Sequence, residues 1–242
     1  MPRLTIRDLV DVPDPMWPII QDWLASASHP VEVLHADREV AEVALLNVQV
    51  TLRSPLGAML YKTGGMLVDN GWLRLLGARS VRMQRSFLDW NGLQDDSPGA
   101  ILDDAYIVGH DVVGGFFAVN LGKFGAGPRN VFYFAPEALT WQDLDLSYAD
   151  FLRWAITGDL GSFYSRVRWT GWESEVRLLD GDHGFSFWPM LWTAGQAPGQ
   201  RSRRVVPQSE LWQIQQDLAA TLADRPTGEA VRLRFDGDGK DR

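Results

Sequence analysis

Among its 242 residues the chain has no cysteine. That excludes a disulfide scaffold, a thiolate metal site and cysteine catalysis. Histidine is scarce: His29 and His35 lie six apart around Pro30, while His110 and His183 stand alone, so no pair has metal-motif spacing. Nowhere do 18 apolar residues follow one another, and the opening MPRLTIRDLVDVPDP carries Asp8, Asp11 and Asp14 where a secretory leader needs an unbroken apolar stretch. We therefore expect a soluble, cytoplasmic protein with no membrane segment, no metal and no other cofactor. Basic charge is also short, with 31 acidic against 23 basic side chains and a net charge of -8. Such a balance argues against a nucleic-acid partner, whose phosphates require a clustered basic surface.

Aromatic and acidic residues are what the chain does have. Eleven tryptophans run from Trp17 to Trp212 without gathering in one stretch. They read as a large aromatic core, because each ring buries much apolar area with few rotors; a sugar-binding platform is the alternative. Acidity is segregated. Residues 95–150 hold nine acids (Asp95, Asp96, Asp103, Asp104, Asp111, Glu137, Asp143, Asp145, Asp150) against Lys123 and Arg129, a net of -7 that leaves -1 for everything else.

Periodicity predicts the elements. PMWPIIQDWLASAS, 15–28, places Trp17, Ile20, Trp23, Leu24 and Ala27 on one helical face behind Asp14 as a cap. DREVAEVALLNVQ, 37–49, offers Val40, Val43, Ala44, Leu46 and Val48 as a buried stripe. Both helices are expected to precede the strands. AMLYK, MLVD and WLRLLG then predict three short strands, with Asn70-Gly71 the strongest hairpin signal in the chain. After a helical turn at RSFLDWN, the segments AYIVG, GFFAVN and VFYFA predict three more. SYADFLRWAIT reads as a helix capped by Ser147, with further helical segments around SFYSRV and GWESEVRLL. GFSFWPMLW reads as a late strand cut by Pro189, and 208–223 as a last helix. No linker or repeat divides the chain, so the expectation is one α+β domain over 1–225 with a mainly antiparallel sheet, N-terminal helices and a helical C-terminal elaboration. The tail 226–242 has too little apolar content to offset the entropy of ordering and is expected to fray.

Chemistry-bearing motifs are thin. His110-Asp111 and Asp182-His183 each set a carboxylate beside an imidazole in a glycine-flanked loop, usable for acid/base work if the two loops meet in space and ordinary turn residues otherwise. Ser186 in GDHGFSFWP lacks the second glycine of a nucleophile elbow. Asp103-Asp104 and Asp143-x-Asp145 could hold a hard cation or form a dyad, yet no histidine or phosphate cradle supports them, and a solvated acidic face is the simpler reading. GKFGAGPRN lacks both the Walker and the dinucleotide spacing and reads as a hairpin loop, and DGDGKDR ends before the bidentate acid of a calcium loop. Arg74, Arg79, Arg82, Arg85, Arg201, Arg203 and Arg204 could form an anion site, but internal bridging or solvation is expected.

The segments DPMWPIIQDWL, LLNVQVTLRSPLGAMLYKTGGMLVDNGWLRLLG, VVGGFFAVNLG, VFYFAPEALTWQDLDLSYADFL, RWTGWESEV and GFSFWPMLWT, spanning Asp14 to Leu218, resemble a bacterial family known as a domain of unknown function. Its core, with GFFAVN, VFYFAPE, a run of acids and SYADFL, is similar in turn to the SUKH superfamily, named for a yeast cell-wall regulator and bacterial immunity proteins. That resemblance implies an α+β binding scaffold without catalytic residues, often used to neutralise a competitor's toxin. The long extension after Phe151 departs from small SUKH proteins. A compact acidic segment suits a basic partner independently, since complementary potentials speed encounter and suppress wrong partners. The expected function is thus non-enzymatic binding of a basic protein such as a toxin, through Asp103, Asp104, Asp111, Trp141, Asp143 and Asp145, with no catalytic residues. The rival is a hydrolase or carbohydrate-acting protein whose site joins Trp141 or Trp72 to carboxylates and His110.

Overall fold

The computed structural model describes residues 3–94, 100–125, 127 and 129–223. Asp95, Asp96 and the tail 226–242 lie outside them. Seven strands form one antiparallel meander in chain order: β1 (Val31–Leu34), β2 (Gly65–Val68), β3 (Leu73–Leu76), β4 (Ala105–Asp111), β5 (Phe116–Asn120), β6 (Asn130–Ala135) and β7 (Thr140–Ser147). Each neighbour pair is antiparallel; four of the connections are hairpin-length, while β1–β2 and β3–β4 are joined through helices. A second sheet pairs β8 (His183–Trp188) with β9 (Ser202–Pro207). Around them lie α1 (Ile6–Val10), α2 (Trp17–Ala25), α3 (Arg38–Val48), α4 (Pro55–Lys62), α5 (Phe87–Trp90), α6 (Tyr148–Thr157), α7 (Leu160–Phe163), α8 (Trp172–Val176) and α9 (Gln208–Leu222). The α+β class expected from the sequence is the one observed.

Successive residues of a strand face opposite sides, and in this sheet both sides are covered. Phe116 and Phe134 face Trp212 of α9 and Trp141 of β7, while Phe117 and Tyr133 face Phe151 of α6 and Phe163 of α7. A continuous core therefore joins the meander, the N-terminal helices and the C-terminal elements.

Several expectations shift. AMLYK is not a strand: Ser54 caps Gly57 N–H, Pro55 presets the first turn, and 55–62 is helical, with Gly57–Tyr61 all buried. An apolar run of that length fits a buried helix as well as a strand, and the cap decides. The strands β1, β7 and β9 escaped notice, and β1 falls between α2 and α3, so the helices do not both precede the strands. The residue before α2 is Met16, with no side-chain cap, and not Asp14. In α3 Ala44 is buried as expected, but its fully buried companions are Ala41 and Leu45, while Val40, Leu46 and Val48 are partly buried and Val43 is exposed. Asn70 and Gly71 have φ of 59° and 87°, with Trp72 N–H donating to Asp69 C=O at 3.0 Å, so the hairpin turn is there. Ser147 caps α6 by accepting from Asp150 N–H, and β8 ends at Trp188, ahead of Pro189.

Candidate functional site

Strand register gathers the acids at one end of the meander. Ala105 pairs with Asn120, Arg129 N–H donates to Asn120 C=O, and Asn130 pairs with Ser147, so the start of β4, the β5–β6 loop and the end of β7 lie together. Asp103, Asp104, Asp143 and Asp145 are all exposed there. Asp143 serves the fold, because its carboxylate accepts from Asn130 Nδ2 at 3.1 Å and from Asp145 N–H at 2.8 Å, tying β7 to the start of β6. The side chains of Asp103 and Asp104 accept no hydrogen bond among the described residues. Nine ion pairs join described residues, and none includes these four acids. Arginines elsewhere are spent locally: Arg82 on Glu32, Arg168 on Asp69, Arg203 on Glu175, Arg204 on Glu210. The expected internal bridging is real, but it bypasses the exposed acids.

Asp111 and Trp141 do not join that surface. Asp111 lies at the opposite end of β4 and is fully buried. Its Oδ1 accepts from Val113 N–H at 3.0 Å and Gly115 N–H at 2.7 Å, and its Oδ2 from the Tyr133 hydroxyl at 2.9 Å. A carboxylate that satisfies a tight strand connection from inside is worth more there than in solvent, which is why it is drawn in. Burial nonetheless pushes its pKa up to about 6, against the opposing pull of those three donors. Burial first, then the Asp111 charge, drives the Tyr133 and Tyr164 hydroxyls well above their usual range. Arg74 of β3 is buried nearby and drawn down to about 10 by desolvation, which the charges of Asp111, Asp180 and Asp182 oppose. Trp141 is only partly buried and packs against Phe124, Phe134 and Trp212, as a core edge does.

His110 sits on β4 and not in a loop; its ring packs against Trp90 and Phe116, and burial holds its pKa well below the usual value, so it is neutral. The two His/Asp segments do approach. Phe185 N–H donates to Val112 C=O at 2.6 Å, Gln208 N–H to Asp182 C=O at 2.8 Å and Gln208 Nε2 to Asp111 C=O at 2.6 Å. Yet Asp182 is spent on Gln84 and Arg85 N–H, and His183 on Asp180. What they form is a joint between the two sheets. Trp72 is fully buried among Tyr164, Trp169 and Trp172, so neither it nor His110 can meet a substrate. Among the described residues no three His, Asp or Glu side chains gather to hold a metal, and no helix is long and apolar enough to cross a membrane.

Residues 6–211, from α1 into α9, match the family described as "Protein of unknown function DUF2625". The chain belongs to that family. It is similar to the putative uncharacterized protein YbfG of Escherichia coli K12, 39% identical over 217 residues that cover 90% of this chain and 98% of the relative. It is also similar to an uncharacterized protein of Haemophilus influenzae, 35% identical over 187 residues that cover 77% of this chain and 82% of the relative. No solved structure matches. In this DUF2625 protein the joint residues Arg74, Tyr133, Tyr164 and Gln208 had no local signal in the sequence, because each acquires its partners only from distant segments.

Proposed function

We propose that this protein is a non-enzymatic binding protein of the bacterial cytoplasm whose exposed acidic sheet end docks a basic protein, in the manner of an immunity protein facing a toxin. The observation that carries the reading is that Asp103, Asp104, Asp143 and Asp145 share one end of the meander while taking part in no ion pair among the described residues, although other acids of the chain have arginine partners. Folding alone gives no reason to gather like charges. The resemblance of the GFFAVN to SYADFL core to the SUKH superfamily supports the same class. Against the hydrolase reading stands the burial of Trp72 and His110, which leaves two of its proposed groups without access to a substrate.

The test uses the basic proteins encoded beside this chain's gene, each immobilised and presented with the purified protein. Asp103→Lys combined with Asp104→Asn should slow association roughly tenfold at low salt and flatten its salt dependence, since steering acts mainly on the on-rate. If no such protein binds, or the variant associates as fast as the parent, the docking surface is not this one.

A further inference from the structure

A second feature lies away from the acidic end, between the two-stranded sheet and α9. We propose that this groove binds a small amphipathic anion, its apolar body against Trp188, Met190 and Ile214 and its acidic head at Arg204. The groove encloses about 520 Å³, within the range of roughly 300 to 1,000 Å³ typical of small-molecule sites. Its floor follows from the pleat: Ser186 and Trp188 alternate along β8, and their partners across the sheet are Arg204 and Ser202, so all four side chains share one face. Trp188 is 52% exposed on that face, whereas Trp72, Trp169 and Trp172 are at most 8% exposed. Apolar carbon thus lines a concavity whose lining residues include no acid.

The two arginines of β9 differ in availability. Arg203 Nε holds Glu175 at 2.8 Å and its guanidinium lies 4.6 Å from the centre of the Trp169 ring, so it is committed to the fold. The Arg204 side chain is 70% exposed and, among the described residues, pairs with Glu210 at 2.8 Å across the solvent-facing side. Such a pair contributes little to stability, and an incoming anion can replace Glu210 at small cost. A smaller cavity of about 30 Å³ borders the groove and shares Ser186, Phe187, Met190 and Ile214 with it. Trp192 lines that smaller cavity, and the indole N–H of that residue is buried without an acceptor among the described residues. An unpaired buried donor is costly to leave so, and a polar atom of a ligand or a water carried in with it would satisfy it.

An anionic and a neutral naphthalene dye of similar shape, anilinonaphthalene sulfonate and phenylnaphthylamine, test the proposal on the full chain. The sulfonate should bind at one equivalent with a saturable rise in fluorescence, and decanoate should displace it. Arg204→Ala should weaken the sulfonate by roughly three- to tenfold, the size expected when one partly exposed charge contact is lost, and leave the neutral dye unchanged. Ile214→Glu should abolish binding of both; should that variant fail to melt like the parent, Trp188→Ala, at an exposed position, takes its place. Non-saturating fluorescence, no displacement by decanoate, dye binding indifferent to both blocking variants, or an equal effect of Arg204→Ala on the two dyes would each overturn it.

Discussion

At one end of β4, Asp103 and Asp104 stand in solvent and accept no hydrogen bond among the described residues; at the other, Asp111 is closed off from water and accepts from three donors. The two ends are only about 20 Å apart along one strand. At the open end an exposed carboxylate contributes little to the fold, so it is available to a partner. At the closed end it is expensive to ionise but pins the 112–115 connection, and its backbone carbonyl receives Gln208 from α9. Residue type alone does not reveal which role an aspartate takes; the neighbours do. The comparison can be broken from either end.

The largest effect belongs to the closed end. A Cβ on Gly115 would run into the Asp111 carboxylate and the Tyr133 hydroxyl. Gly115→Ala must therefore push a buried carboxylate off its donors, and we expect a loss of about 3 kcal/mol in urea unfolding, overpacking and broken hydrogen bonds together. A melt that overlays the parent would mean that the Asp111 cradle is not rigid.

The next effect is a slope. The folded-state pKa of Asp111, about 6, lies above the ordinary value of 3.8, so the folded protein holds this proton more tightly than the unfolded chain does. Stability from that group is full below the ordinary value and is lost as pH rises through about 6. Partly buried Glu137, also raised by burial, tilts the same way, whereas Asp180 and Glu175, both lowered, tilt the opposite way. The readout is therefore a difference. Asp111→Asn keeps an acceptor for Val113 and Gly115, and parent minus variant should fall by at most about 3 kcal/mol between pH 4 and 7. An identical pH dependence for the two proteins would remove the buried, titrating carboxylate from the account.

What could be read from the chain follows the same division. The strands AYIVG, GFFAVN and VFYFA, the Asn70-Gly71 turn and the Ser147 cap were legible because each is specified by residues within a few positions. The α4 helix was misread since apolar runs of five carry no period, although Ser54-Pro55 marked its start. Charge counting found the acidic segment but could not tell Asp111 from Asp104, because burial depends on which strands pair and on Tyr133, 22 residues further on. The groove by α9 was invisible for the same reason: Trp188, Arg204 and Ile214 meet only after β8 pairs with β9.

The smallest expected effect sharpens the comparison most. If the open end is free of structural duty, Asp103→Lys with Asp104→Asn should leave the thermal midpoint nearly where it was, within about 0.5 kcal/mol, because exposed charges far from caps and cores contribute little to folding. Asparagine at 104 is chosen because that residue has φ of 51°, a left-handed conformation that asparagine tolerates and lysine does not favour. Any change should be a slight gain, since acids crowded at one end repel one another and the substitution relieves that repulsion. The gain should shrink with added salt, which screens exposed charges over about 10 Å at 0.1 M. Asp143→Asn belongs beside it as a control at the same end, because Asp143 holds Asn130 and Asp145 N–H and should cost about 1 kcal/mol. Equal losses from the two changes would show that Asp103 and Asp104 are structural, and the open end would then have no acids to spare for a partner.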